Sequence, residues 1–266
     1  MEWLIHSVFV VLVSYEIGLF LRGQNEVDTK YICISEDNLK QGRFMMRSVA
    51  EMLENIAVLF HSSVRIDTGS QHIYFDPYEI AEESQDADMI FVTHDHFDHF
   101  SPKDIQKISK QDTILVLPER MNKKIIAKAG LSTEHCVWMR AGQTRQISGL
   151  EVEAIPAYNL HKPFHSKKAG WLGYLIIIDG VRIFVAGDTD HHPENEQVIT
   201  DIALVPIGGM FTMNARQAAD YINTIHPQAA IPIHYGKVAG RRADEDVFAA
   251  AVEDSIQVSI RMQRYS

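Results

Sequence analysis

Cysteine is nearly missing from this chain: Cys33 and Cys136 are the two among 266 residues. They stand about a hundred positions apart in no CxxC pattern, which excludes a disulfide framework and a thiolate zinc site. A reducing compartment, the cytoplasm, is therefore the expected location. Basic charge is also in short supply. Lys and Arg number 25 against 35 Asp and Glu, a formal net charge of −10. No global positive field recruits nucleic acid, and an anionic substrate would need a local basic patch. The sequence has no internal repeat and no Pro/Ser/Gly linker. What it does have is ample core material, 46% hydrophobic, and 13 histidines, of which His94, His96, His99, His161, His165, His191 and His192 crowd the central stretch.

Residues 3–21 are apolar apart from His6, Ser7, Ser14, Tyr15, Glu16 and Gly18, and roughly 20 such residues can cross a bilayer. Three readings stand: a membrane anchor or signal, a packed helix or strand, or a stretch foreign to the working protein, with Met45 and Met46 as alternative starts. Glu16, with no Lys or Arg before it, weakens the signal-peptide reading. Membrane contact is expected only through this segment, and an inserted anchor would hold the next domain on the cytoplasmic side through Arg22 and Lys30. Leu39, Phe44, Val49, Met52 and Leu53 recur at helical spacing within 36–54, which predicts an amphipathic helix. Residues 1–54 thus read as an extension and 55–266 as the main domain.

From residue 55 the texture becomes short apolar strands and tight turns, with strands at "ADMIFVTH", "DTILVLP", "VRIFVAGD", "IALVPIG" and "AAIPIHYG". Helices are predicted at "SPKDIQKISK", with Ser101 as N-cap and Pro102 at N1, at "RMNKKIIAKAG" closed by Gly130, at "ARQAADYINTIH" and at "DEDVFAAAVEDS". Paired strands with helices between them predict one mixed α/β domain of two sheets and outer helices.

Three strands end on a metal-binding side chain: His94, Asp188 and His234. Open α/β folds gather their sites at the carboxyl ends of strands. Within "FVTHDHFDHF", residues two apart point the same way in extended backbone, so His94 and His96 suit one ion while Asp98 and His99 suit a second. Imidazole and carboxylate donors fit zinc first, with manganese or iron also compatible, and the want of nearby cysteine excludes a closed structural zinc site.

"THDHFDH" resembles the HxHxDH signature of the metallo-β-lactamase superfamily, and "AGDTD" and "IPIHYG" follow in the order that superfamily uses. The resemblance spans about residues 55 to 266 and is strongest to the compact hydrolase branch similar to ascorbate-phosphate lactonases, on "HSSVRID", "IYFDPY", "PFH", "GWLGYLI" and "PIGGMFTMNA". It implies an αββα sandwich of two mixed β-sheets flanked by helices, with two metal ions at one edge. Metal one falls on His94, His96 and a third histidine, His165 in preference to His161. Metal two falls on Asp98, His99 and His234, with Asp188 bridging. Two departures, Phe60 in place of a usual glycine and Val185 in place of a frequent histidine, would narrow the pocket.

Such ions lower the pKa of bound water from about 15.7 toward about 7, so a metal-bound hydroxide would attack a small ester, lactone or phosphoester, with Asp98 orienting it and passing on a proton. Asp76 either accepts a ligand imidazole N–H or merely opens the Asp-Pro turn; His61 either lines the site or ends a buried strand. Lys162, Lys167 and Lys168 are candidates to attract an anionic group, and backbone N–H groups of 208–212 to bind an oxyanion. A homo-oligomer acting on a small molecule, without nucleic acid, is the expected form. The rivals are a phosphodiesterase or RNA-processing nuclease of the same fold and a non-catalytic metal-binding protein. A redox diiron reading is disfavoured because His96 stands where that branch resembles a glutamate.

Overall fold

A computed structural model describes residues 8–13, 16–21, 31–34, 47–121, 126–127 and 133–263. The chain divides into two compact units, Met1–Arg47 and Ser48–Ser266.

In the first unit, β1 (Val8–Val13), β2 (Glu16–Leu21) and β3 (Tyr31–Ile34) form an antiparallel sheet in that order. β1 and β2 pair from Val13 opposite Glu16 to Val8 opposite Leu21. This corrects the expectation of membrane contact through residues 3–21. The described parts of that segment are two six-residue strands, and no helix among the described residues is long and apolar enough to cross a membrane. The physical reason lies in Val8, Val10, Val11, Val13 and Ile17, whose β-branched side chains favour a pleated strand over a helix.

The second unit opens with α1 (Val49–Glu54), where Ser48 and Glu51 form a reciprocal capping box and Met52 and Leu53 are buried. The division therefore falls just before this helix, at 47/48. The rest of the helix expected within 36–54 lies outside the described residues apart from 47 and 48, and so does most of the one expected at 120–130. Pro102–Ile108 is α2, with Pro at its start. Its Ser101 does not cap a backbone N–H but donates through Oγ to Asp104 Oδ2 at 2.6 Å. α3 (Ala215–Ile225) carries a capping box between Asn214 and Gln217, and α4 spans Asp244–Ala251.

Thirteen strands of this unit make two mixed sheets among the described residues. One has six strands in sequence order: β4 (Ile56–Phe60), β5 (Ser63–Asp67), β6 (His72–Phe75), β7 (Ala87–Phe91), β8 (Ser109–Pro118) and β9 (Cys136–Met139). The other has seven, also in order: β10 (Thr144–Ile147), β11 (Leu150–Pro156), β12 (Leu172–Ile178), β13 (Val181–Val185), β14 (Ile202–Pro206), β15 (Ala229–Ile233) and β16 (Gln257–Val258). Both sheets begin antiparallel and turn parallel: at β6/β7 in the first and at β13/β14 in the second. As a result β4, β6 and β7 run one way in the first sheet, and β11, β13 and β15 run one way in the second. Beyond their carboxyl ends lie His61, Asp76, His94, His165, Asp188 and His234.

Side chains alternate across the first sheet. Ile73, Phe75, Met89 and Phe91 join the core shared with Tyr174, Ile176 and Val185 of the second sheet, whereas Tyr74, Ile90, Val92 and Leu115 form a smaller core with Ile105 and Ile108 of α2. Val185, expected to narrow the pocket, belongs to the shared core. Phe91 stacks on Phe75 at 4.8 Å and meets Tyr174 edge-on at 5.2 Å, and the Tyr174 hydroxyl donates to the Val92 carbonyl at 2.9 Å. That bond and Leu172 N to Thr93 O at 3.1 Å fasten the two sheets together one and two residues before His94.

The turn after β13 needs its glycine. Gly187 has φ 65°, and a Cβ there would lie 3.0 Å from the Leu172 carbonyl oxygen and from Thr93 Cβ. Gly187→Ala is expected to lower stability by about 1–3 kcal/mol, read as a lower urea midpoint at unchanged m-value.

Candidate metal centre

Six strand ends build the site. β4 delivers His61, β6 delivers Asp76, β7 delivers Thr93 and His94, β13 delivers Asp188, β15 delivers His234, and the loop after β11 delivers His165. His96, Asp98 and His99 follow on the tight turn beyond β7, where His99 N and Phe100 N both donate to the His96 carbonyl. His61, Asp76, His165 and His234 have φ of 55°, 43°, 57° and 56°, left-handed conformations that L-residues rarely adopt and that concentrate at functional sites. His61 is the clearest case. It holds the first position of the two-residue β4–β5 turn, between Phe60 and Ser63, where such a φ usually calls for glycine.

The ligand atoms gather into overlapping groups, each within 4.8 Å: His94, His96 and His165; His61, Asp98, His99 and His234; and His94, His99 and Asp188. Asp188 joins them. Its Oδ2 lies 3.0 Å from His165 Nε2, 3.1 Å from His234 Nε2 and 3.9 Å from His94 Nε2, while Oδ1 lies 3.2 Å from His99 Nε2. Asp98 Oδ2 is 3.3 Å from His61 Nε2 and 3.7 Å from His234 Nε2. His165 is buried at 2% exposure and belongs to the first group. His161 is exposed and belongs to none of these groups.

A hydrogen-bonded frame aims the rings. The buried Asp76 carboxylate accepts from Thr93 N at 2.8 Å, Thr93 Oγ1 at 2.7 Å and His99 Nδ1 at 2.7 Å. Because the Thr93 hydroxyl gives its proton to Asp76, it accepts from His94 Nδ1 at 2.9 Å. Both rings are thereby held as the Nδ1–H form with Nε2 turned to the centre, the orienting contact that ligand imidazoles commonly need. Of the two roles open to Asp76, the structure gives it the acceptor's. Asn159 steadies the His165 turn: its Nδ2 donates to the carbonyls of Phe164 and Phe211, and its backbone N–H to that of His165. Trp171 covers the first group, with ring centroids 4.6 Å from His94, 4.7 Å from His96 and 4.9 Å from His165. Thr93, Asn159 and Trp171 are not ligand types, so composition did not single them out; the nearest signal is that Thr93 and Trp171 lie within the stretches "THDHFDH" and "GWLGYLI".

The donor set fits divalent ions. The Nε2 atoms of His61, His99, His165 and His234 and Oδ1 of Asp188 are buried with no aligned hydrogen-bond partner. Each such atom costs about 1–3 kcal/mol when left so, a cost that divalent ions held by these groups would relieve. Protonation follows position. Burial holds His94 and His96 below the usual imidazole value and brings His61 down to about 4. Burial opposes charge on His99 and His234 as well, but Asp188, with Asp76 beside His99 and Asp98 beside His234, overcomes it and raises both. Asp98 and Asp188 stay ionised despite burial, held well below the ordinary carboxylate range by the surrounding imidazoles.

Two of the three lysines expected to draw an anion are already paired, and Lys168 is exposed. Lys162 bonds Asp190, and Lys167 bonds both carboxylate oxygens of Glu194 at 2.9 and 2.8 Å. Gly208, at the head of the candidate oxyanion segment, packs so closely on His234 that a Cβ would lie 2.4 Å from its carbonyl oxygen.

Two mixed sheets with outer helices and joined His/Asp clusters at one edge define a metal-dependent hydrolase fold. The chain belongs to the β-lactamase superfamily: residues 55–234 match the model described as "Beta-lactamase superfamily domain". A UPF0173 metal-dependent hydrolase of Thermococcus onnurineus is 30% identical over 219 residues, 77% of this chain and 95% of that protein. Among solved structures, a proposed metal-dependent hydrolase of Parabacteroides distasonis superposes with TM-score 0.63 at 29% identity, covering 78% of this chain and 93% of its own. A metallo hydrolase of Ignicoccus hospitalis shares the fold at TM-score 0.62 and 19% identity, covering 78% of this chain and 94% of that one. The protein is a metal-dependent hydrolase, with clusters able to hold one or two divalent ions.

Two outcomes are expected. Asp76→Asn weakens metal affinity by about 10- to 100-fold, read by chelator competition. Metal binding expels the protons that His99 and His234 carry in the metal-free site, so calorimetry in buffers of different ionisation enthalpy shows proton release, and affinity rises with pH through the neutral range.

Proposed function

We propose that the protein is a dinuclear hydrolase of small esters, lactones or phosphoesters, similar in this to the lactonase-like branch of its superfamily. The observation that carries this reading is Asp188, whose two buried oxygens face both groups of imidazoles at 3.0–3.2 Å. His94, His96 and His165 would hold one ion; Asp98, His99 and His234, with His61 beside them, the other; Asp188 would serve both. The nitrogen and oxygen donors favour zinc, with manganese or iron compatible. Bound there, the ions would supply Lewis acidity and a water ionised near neutral pH.

The chain's own residues do the rest. Asp98 is 7% exposed and ionised, so it would accept a hydrogen bond at the reacting centre and orient the attacking group. His61 Nε2, 3.3 Å from Asp98 Oδ2, limits which carboxylate oxygen is free for that task. Trp171 lies against three ligand rings and keeps water from that side. Thr93 and Asp76 fix ring angles before substrate arrives, so no reorganisation is required during reaction.

Asp98→Ala and His94→Ala are expected to reduce kcat/KM on a hydrolysed ester or phosphodiester by about 100-fold or more, with the circular dichroism of a folded protein retained. Near-full activity in either variant would sink the site assignment.

A further inference from the structure

We propose that the mouth of this site selects a neutral, apolar acyl or aryl group, an inference that rests on the hydrolase reading above. Aromatic side chains flank both groups of ligands. Phe97, between His96 and Asp98 in the chain, is 67% exposed. Its ring meets the edge of Tyr78 at 5.9 Å, and Tyr78 leans at 5.8 Å on Phe60, the residue before His61. Phe164, directly before His165, is 47% exposed and meets Phe211 edge-on at 5.0 Å; next to Phe211, Met210 is 74% exposed. The rings of His96 and His165 are 4.9 Å apart. Phe97 and Phe164 are therefore each one residue from the same pair of neighbouring ligand rings.

A single exposed apolar side chain is ordinary in any protein. Here they come from three separate loops, all beside the reacting centre, and that placement gives them a use: an apolar substituent entering from solvent removes their surface and its own from water. The charges close by offer an anion little. Lys162 is matched by Asp190, and Lys167 by Glu194 while its ammonium also lies 5.1 Å from the Tyr158 ring centroid. In a chain of net charge −10, an anionic substrate would have to displace these internal partners to reach Lys162 or Lys167, which leaves it the exposed Lys168 alone of the three.

The test uses the metal-loaded full chain and two series of matched length. In the first, kcat/KM is measured for p-nitrophenyl esters from acetate to hexanoate and for the succinate half-ester. In the second, affinity is measured by tryptophan fluorescence for neutral alkyl hydroxamates, whose binding does not depend on turnover. Both are expected to rise about two- to four-fold per methylene. The succinate half-ester should fall at least about ten-fold below butyrate, and Phe97→Ala with Phe164→Ala should flatten both slopes. A flat hydroxamate series, or a succinate half-ester hydrolysed faster than butyrate, overturns the apolar mouth. A hydroxamate slope with no ester turned over would leave the mouth standing and remove the ester-hydrolase reading. Ester turnover without any slope would do the reverse.

Discussion

The buried carboxylate of Asp188 is the constraint on which the rest of the site depends. An ionised carboxylate at 3% exposure is tolerable only where opposite charge surrounds it, and here the compensation comes from imidazoles of both sheets. His99 arrives from the first sheet, His234 from the second, and His165 from the loop after β11. The two halves of the sandwich are therefore fitted to one another at the point where the chemistry is placed. His234 N also donates to the His61 carbonyl at 2.9 Å, so backbone and side chains close the same seam.

The architecture makes that convergence possible with short connections. Each sheet changes from antiparallel to parallel part-way across, so the strands that carry ligands point the same way within each sheet. Three bonds at the ends of those strands, from Tyr174, Leu172 and His234, set the spacing of the two edges. Left-handed backbone at four of the site residues adds conformational cost, which the surrounding hydrogen bonds and the packed core sustain.

Much of this was legible in the sequence because the first ligands are local. His94, His96, Asp98 and His99 occupy six consecutive positions after an apolar strand, and Asp188 and His234 each end a recognisable strand. A mixed α/β domain of two sheets with outer helices followed from paired strands and intervening helices, and the αββα sandwich from the family resemblance. His61 was harder to place, since its approach to Asp98 depends on the turn geometry between β4 and β5 and not on spacing. The choice between His161 and His165 turned on which way one loop faces. Lys162 and Lys167 read as a basic patch because their partners lie 28 and 27 residues away. The apolar amino-terminal segment had the composition of a membrane span, but its backbone pairs in a local β-ladder, an outcome that hydropathy alone does not encode.

Metal content of the purified full chain and of Asp188→Ala, measured by elemental analysis after adventitious ions are removed, tests the central claim most directly. The account predicts about two divalent ions per chain, with a large loss from both positions in the variant. A wild-type chain that retains no ion, or an Asp188→Ala chain that retains its full complement, would contradict it.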